Sequence, residues 1–235
     1  MTSAYTLQAF LKHLDELRSR VLKSLGVFLI SVFVCFNFAG AVLQWIIGPA
    51  GQLVYTSPGG AFAAIMTVTV VMALIASAPV IAYQVWAFVA VALRPHERRF
   101  VYIFGPLSLL FFFLGVLFAF FVAVPMSYKF LMSFSTPALT PMITVDNYMG
   151  FLGNMVIAFG VAFELPLILA FFASIGIATP EFLRQKRRHA IIVILIVAAI
   201  MTPPDVVSQL LLAVPLMVLY EVGIIFTKIF QKKMV

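Results

Sequence analysis

Two carboxylates in this sequence lie among cations, where they can bind a basic ligand. Glu16 belongs to a charged segment near the N-terminus, and Glu97 to the basic run 94–99, which follows an aromatic band. The rings of this band are expected where lipid meets water: Tyr83, Trp86 and Phe88. A carboxylate binds an arginine guanidinium through two parallel hydrogen bonds, and partial removal from water strengthens that pairing. An ordinary solvated charge that balances nearby arginines fits these residues equally, so their local chemistry leaves both interpretations open.

A third carboxylate, Glu164, lies inside a long apolar run and two residues before Pro166. A charged group within a bilayer costs several kcal/mol unless it faces protein or water. Two interpretations follow. Glu164 either fixes helix packing through hydrogen bonds, or it serves a polar pocket or a proton relay.

The last polar cluster belongs to a short hairpin near the C-terminus. Pro203 and Pro204, followed by Asp205, predict a tight turn rather than a continued helix. Asp205 either caps the next helix or has a functional role, and Gln209 lies one turn further along the same face. Glu221 flanks the hairpin at its other end.

Recognisable catalytic and metal motifs are missing from the sequence. It contains no glycine-rich nucleotide loop, no paired cysteines and no HExxH run, and its three histidines are far apart. We therefore expect no enzymatic activity, no cofactor and no metal. The net charge of +7 does not imply a nucleic-acid partner, because the enrichment of Lys and Arg in the cytoplasmic loops of membrane proteins accounts for it.

The composition is that of a membrane protein. Hydrophobic residues make up 64% of the chain and charged residues 10%, whereas about a quarter of a soluble domain is charged. Apolar runs of about 20 residues can cross a bilayer. The pattern predicts an all-α bundle of six transmembrane helices, with the last two short, at 25–47, 61–93, 102–124, 151–177, 190–201 and 206–226.

Two of these segments carry further expectations. The second run is longer than a bilayer needs, and Pro79 inside it is the expected place for a bend. Residues 5–25 have apolar side chains at helical spacing among charged ones, which predicts an amphipathic helix that lies at the interface before the chain turns into the membrane. The predicted organisation is thus an amphipathic segment at 1–24, a membrane domain at 25–226 and a tail at 227–235.

The cations predict the orientation. All the Lys and Arg residues except Lys129 fall on one side of the membrane when successive spans cross it in opposite directions. Because cytoplasmic loops are rich in Lys and Arg, both termini are expected in the cytoplasm, with the chain in the cytoplasmic (inner) membrane.

Several stretches resemble the TatC family, the polytopic subunit of the twin-arginine protein translocase. The chain carries HLDELR at 13–18, SAP with YQVWAF at 77–88, HERR at 96–99, FG with FELP at 159–166, and TPPD with YE at 202–221. Two departures are Gly60, where the family commonly has an acid, and Thr67, where it often has a lysine.

The resemblance implies a receptor for signal peptides with paired arginines, within a concave bundle. Glu16 and Glu97 would be the recognition carboxylates, with Phe88 beside them and with Leu14 and Arg18 from the same N-terminal motif. The expected partners are these peptides on folded cargo, TatA- and TatB-like single-span subunits in a joint oligomer, and membrane lipid, with the proton-motive force driving export.

The same resemblance places Glu164 in the groove of the bundle, with Gln209 as a further polar residue, and the hairpin with Asp205 and Glu221 against the single-span subunits. The rival hypothesis is a proton-coupled small-solute secondary transporter that uses Glu164 and Asp205. Against it, the chain shows no paired halves and no matched broken helices. A passive scaffold is a third hypothesis.

Overall fold

The structure, a computed structural model, describes residues 2–48, 53–95, 98–136, 141–202 and 205–232. Within these ranges the chain forms nine α-helices and one π-helical turn, and no strand beyond an isolated bridge between Val54 and Thr144. Five of the described helical segments are long and apolar enough to cross a membrane. The predicted all-α membrane architecture is confirmed.

The first two helices are long and pack along each other. Helix α1 spans Thr2–Ile47 and α2 spans Gly60–Ala92. The expected turn between the amphipathic segment and the first span is wrong, because α1 continues without a break; only Gly26 weakens this stretch, and it carries no proline. Pro79 lies inside the unbroken α2, where it leaves the carbonyl of Ile75 without its helical donor.

The third span is longer than predicted and contains a bulge. Helix α3 (Arg98–Phe118) continues through a π-turn at Ala119–Ala123 into α4 (Val124–Met132). Pro125 is the second residue after the π-turn and has no N–H to donate to the preceding turn. A wider turn at this point accommodates the missing bond while the helix continues.

The fourth span is broken at Glu164. Helix α5 covers Val145–Ala162 and α6 covers Leu165–Ser174. Pro166 lies in the first turn of α6, where a proline is tolerated because that N–H has no helical partner anyway. The polar side chain predicted within this span therefore lies at a helix junction.

The last three helices are a short helix and the two helices of the C-terminal hairpin. The short helix α7 spans Pro180–Gln185, and the hairpin helices α8 and α9 span Arg187–Met201 and Val206–Lys232. With 15 residues, α8 is about 22 Å long and shorter than the bilayer core. The expectation that both last helices are short holds for α8 only, since α9 has 27 residues and continues from its apolar run into the basic tail.

Glycines allow a close crossing of α3 and α5. A Cβ atom at Gly115 in α3 would lie 2.3 Å from the carbonyl oxygen of Phe159 in α5. At Gly160 it would lie 2.9 Å from the ring of Phe112. The two backbones therefore meet without side chains between them, and Phe159 is fully buried at the crossing.

Candidate functional site

The basic ends of α1 and α2 meet through an aromatic stack. The ring centroids of His13 and Phe88 are 4.4 Å apart with planes inclined by 26°. His13 lies on the amphipathic part of α1, and Phe88 lies near the end of α2. This stack brings the N-terminal motif against the aromatic band that precedes residues 94–99.

About two turns along α1 from His13, a guanidinium joins the two helices. Arg20 Nη2 lies 2.5 Å from Glu16 Oε1, and Arg20 Nη1 donates to Gln84 Oε1 at 3.1 Å. The side chain of Arg20 is 19% exposed and that of Glu16 is 38% exposed. The Nε atom of Arg20 is buried and has no hydrogen-bond partner. The surface thus holds a guanidinium between a carboxylate and an amide.

Apolar side chains border this polar cluster. Leu14 is 42% exposed and Leu17 is 40% exposed, and Arg18 faces solvent beside them. Because α1 presents leucines and charges on adjoining faces, this end of the molecule can contact an apolar segment and a cationic group together.

The structure therefore brings together most of the residues predicted for one site. Glu16 and Phe88 lie on facing helices, and Leu14 and Arg18 are accessible nearby; Glu97 lies outside the described residues. Sequence analysis missed the roles of Arg20 and Gln84. The available signals were the four-residue spacing of Glu16 and Arg20, which favours an ion pair within a helix, and the same spacing of Gln84 and Phe88.

The aromatic band after Pro79 divides between two environments. Tyr83 is 67% exposed, as expected for a ring near the membrane interface. Trp86 is buried instead: its Nε1–H donates to Ser108 Oγ at 3.0 Å, and its ring packs against Phe104 and Phe171. Its assignment to the lipid–water interface is thus wrong, since the indole finds a hydrogen-bond acceptor inside the bundle.

Glu164 lies apart from this cluster, half-buried at the junction of α5 and α6. Its carbonyl accepts from the N–H of Ile168, and its own N–H donates to Val161. The interruption between α5 and α6, and with it the Glu164 carboxylate, lies within the candidate membrane span Val145–Ser174.

Side chains of the C-terminal hairpin hold its helices together. Asp205 Oδ1 accepts from the N–H of Ser208 at 2.6 Å, which makes Asp205 the N-cap of α9. Gln209 Nε2 donates to the carbonyl of Leu195 in α8 at 3.0 Å. Two of the predicted hairpin residues, Pro203 and Pro204, lie outside the described residues.

The opposite end of the hairpin carries an ion pair. Arg187 Nη2 lies 2.7 Å from Glu221 Oε2, and both side chains are about half exposed. Next to it, the hydroxyl of Tyr220 donates to the carbonyl of Leu183 at 2.8 Å. These contacts hold the basic loop, which contains α7, against α9.

The fold and these clusters define a multi-spanning helical membrane protein that presents polar and apolar binding surfaces. Residues 12–215 match the family model described as Sec-independent protein translocase protein (TatC). The chain belongs to the TatC family. The resemblance stated from the sequence is thereby confirmed, as are the assignments to a protein translocase and to a non-enzymatic class, whereas the small-solute transporter gains no support.

Relatives from two bacteria align with nearly the whole chain. The TatC protein of Desulforapulum autotrophicum is 37% identical over 231 residues, which are 95% of this chain and 86% of that protein. The TatC protein of Escherichia coli (strain K12) is 36% identical over 234 residues, 96% of this chain and 90% of that one. A crystal structure of the twin-arginine translocase receptor TatC superposes with a TM-score of 0.85 at 37% identity, over 93% of this chain and 99% of the other.

Proposed function

We propose that this protein is the receptor for twin-arginine signal peptides within a translocase that exports folded proteins. The observation that carries the proposal is the Glu16 carboxylate, which already binds a guanidinium at the junction of α1 and α2. A charge-assisted pair between carboxylate and guanidinium is among the stronger polar interactions in proteins. A peptide arginine presents the same group to the same surface.

The apolar surroundings suit the remainder of a signal peptide. Leu14 and Leu17 are exposed next to Glu16, and an apolar peptide segment that follows the arginines can cover them. Glu97 would supply the second carboxylate; its role rests on the motif of residues 96–99. Arg18 and Phe88 complete the proposed peptide site, with the His13 ring supporting Phe88.

The proposed orientation puts this site in the cytoplasm. The N-terminus, residues 94–99, residues 184–188 and the C-terminus carry the cations, and such segments stay on the cytoplasmic side of an inner membrane. Signal peptides of newly folded cargo arrive from that side. TatA- and TatB-like single-span subunits would assemble on the hairpin of α8 and α9, with the proton-motive force as the energy source.

Site-specific photo-crosslinking tests the receptor role. A photoreactive residue at Leu14 should crosslink to a signal peptide with paired arginines. A peptide with both arginines replaced by alanine should give little product, because it offers Glu16 no guanidinium. The matched control is the same photoreactive residue at Phe33, which is 77% exposed on the same helix but far along the apolar span. Equal crosslinking of both peptides at position 14 would overturn the proposal.

Complementation tests the translocase role in cells. In a strain that lacks its own receptor but contains partner subunits, this protein should restore export of a folded twin-arginine substrate. Glu97→Ala should abolish the export. Restoration by the Glu97→Ala variant at the wild-type level would contradict the assigned recognition carboxylate.

A further inference from the structure

A cleft of about 640 Å³ lies between α2 and α3. On α2 its walls include Pro79, Tyr83 and Trp86, which recur at helical spacing. Gln84 and Phe88, which contact α1, lie on a different face of the same helix. The cleft and the α1–α2 junction are therefore separate surfaces.

Small residues create the cleft. Ala82, Ala87 and Ala90 on α2 and Gly105 on α3 line it, so that neither helix fills the space between them. The buried Trp86 forms part of the floor, and a Cβ atom at Gly105 would already lie 3.8 Å from its indole ring. The outer edges carry Tyr83 and Tyr102, which are 67% and 82% exposed.

The length of the cleft matches one leaflet of a bilayer. Along α3 it extends from Arg98 to Leu109, about 16 Å at about 1.5 Å per residue. Half of the hydrocarbon core is about 15 Å thick. On α2 the cleft ends at Pro79, in the middle of that helix. A transmembrane helix needs about 30 Å, so the cleft fits an occupant confined to one leaflet.

The charge at its mouth selects the headgroup. Arg98 lines the basic end and is exposed, and Arg99 follows it. Residues 94–99 contain three arginines and one glutamate, so this end is positive. Basic pockets between membrane helices bind anionic headgroups, and tyrosines favour the level of the headgroups.

We propose that this cleft binds an anionic phospholipid, with an acyl chain against Trp86 and the phosphate at Arg98. The inference uses the proposed orientation only to assign the lipid to the cytoplasmic leaflet. It requires no peptide, so its test and that of the receptor role can fail separately.

The test is quenching of Trp86 fluorescence by lipids with brominated acyl chains. The sequence has two tryptophans, and Trp45→Phe leaves Trp86 as the only one, which can be excited selectively over the tyrosines. The full-length Trp45→Phe protein is reconstituted in vesicles that contain either brominated phosphatidylglycerol or brominated phosphatidylcholine. Quenching should favour phosphatidylglycerol roughly fivefold in apparent affinity, the size expected for one basic residue near the membrane surface.

Two variants locate the lipid. Arg98→Gln should abolish the preference for phosphatidylglycerol, whereas Arg188→Gln, which removes an exposed arginine from the other basic loop, should keep it. Ala90→Phe should reduce quenching by both lipids because it fills the cleft, and Ala41→Phe on the exposed face of α1 should not.

Equal quenching of the parent by both lipids, or an unchanged preference in Arg98→Gln, would overturn the proposal. Loss of quenching when a single-span partner subunit is added would also overturn it, in favour of a helix in the cleft. If Ala90→Phe fails to fold, the Arg98→Gln comparison still decides.

Discussion

Arg20 binds the Glu16 carboxylate across one turn of α1, with 2.5 Å between Nη2 and Oε1, while its other terminal nitrogen donates to Gln84 on α2. The receptor without peptide thus already contains one arginine at the carboxylate assigned to arginine recognition. An incoming guanidinium either shares the carboxylate oxygens with Arg20 or displaces it.

Glu16→Gln should weaken binding of a twin-arginine peptide roughly tenfold, because hydrogen bonds to charged groups contribute about 1.5–3 kcal/mol and this pair is partly solvated. Fluorescence anisotropy with a labelled peptide measures the change. Asp15→Asn removes a neighbouring exposed charge and should have little effect. Equal losses in both variants would indicate general electrostatic attraction instead of a specific contact.

Removal of the His13–Phe88 stack should weaken the contact of α1 with α2. A double-mutant cycle with His13→Ala and Phe88→Ala, followed by thermal unfolding in detergent, should give a coupling of about 0.5–1.5 kcal/mol, the range for aromatic pairs. The reference cycle combines His13→Ala with Phe33→Ala, whose ring is exposed further along α1, and should give no coupling. An additive His13/Phe88 cycle would show that the stack contributes nothing to stability.

Gly115→Ala should destabilise the bundle by about 1–3 kcal/mol, as overpacking of a close contact does. The new methyl would lie 2.3 Å from the backbone oxygen of Phe159, which cannot move without shifting α5. Gly150→Ala, where no atom lies within 4 Å, should instead raise the unfolding temperature slightly because alanine favours a helix. A normal unfolding temperature for Gly115→Ala would mean that the helices are further apart.

The lengths of the hydrophobic runs predicted most of the fold. These signals specify which segments enter the membrane, but they carry no information on continuity between segments. The long α1 and the π-turn before Pro125 were therefore missed, since both depend on how a helix adapts locally along its neighbours.

The candidate site was predictable in part. Motif residues identified Glu16 and Phe88, whereas the link through Arg20 and Gln84 depends on the alignment of α1 with α2. That alignment joins residues 64 positions apart in the chain. Trp86 was misassigned for the same reason, because its hydrogen bond to Ser108 requires the packing of α3.

Glu164→Gln should retain most export, and Glu164→Leu should lose it, if the residue acts as a polar group of the groove. Glutamine keeps the shape and hydrogen-bonding capacity of the side chain, whereas leucine removes both at a junction within the membrane. Export of a folded substrate is the measurement, with protein level in the membrane as the control. Complete loss in Glu164→Gln would favour a proton relay.

Exchange of the charges in the Arg187–Glu221 pair tests the proposed partner surface on the hairpin. Each side chain is about half exposed, so Glu221→Arg alone should change the stability by no more than about 1 kcal/mol. Co-purification of a TatB-like subunit should fall with Glu221→Arg, because two arginines then repel across α8 and α9. The double variant Arg187→Glu/Glu221→Arg restores the ion pair and should restore co-purification.

Glu181→Arg on the exposed side of α7 is the control for charge reversal. If the double variant stays defective, Glu221 contacts the partner directly; if Glu221→Arg alone co-purifies normally, this end of the hairpin is not part of the partner surface.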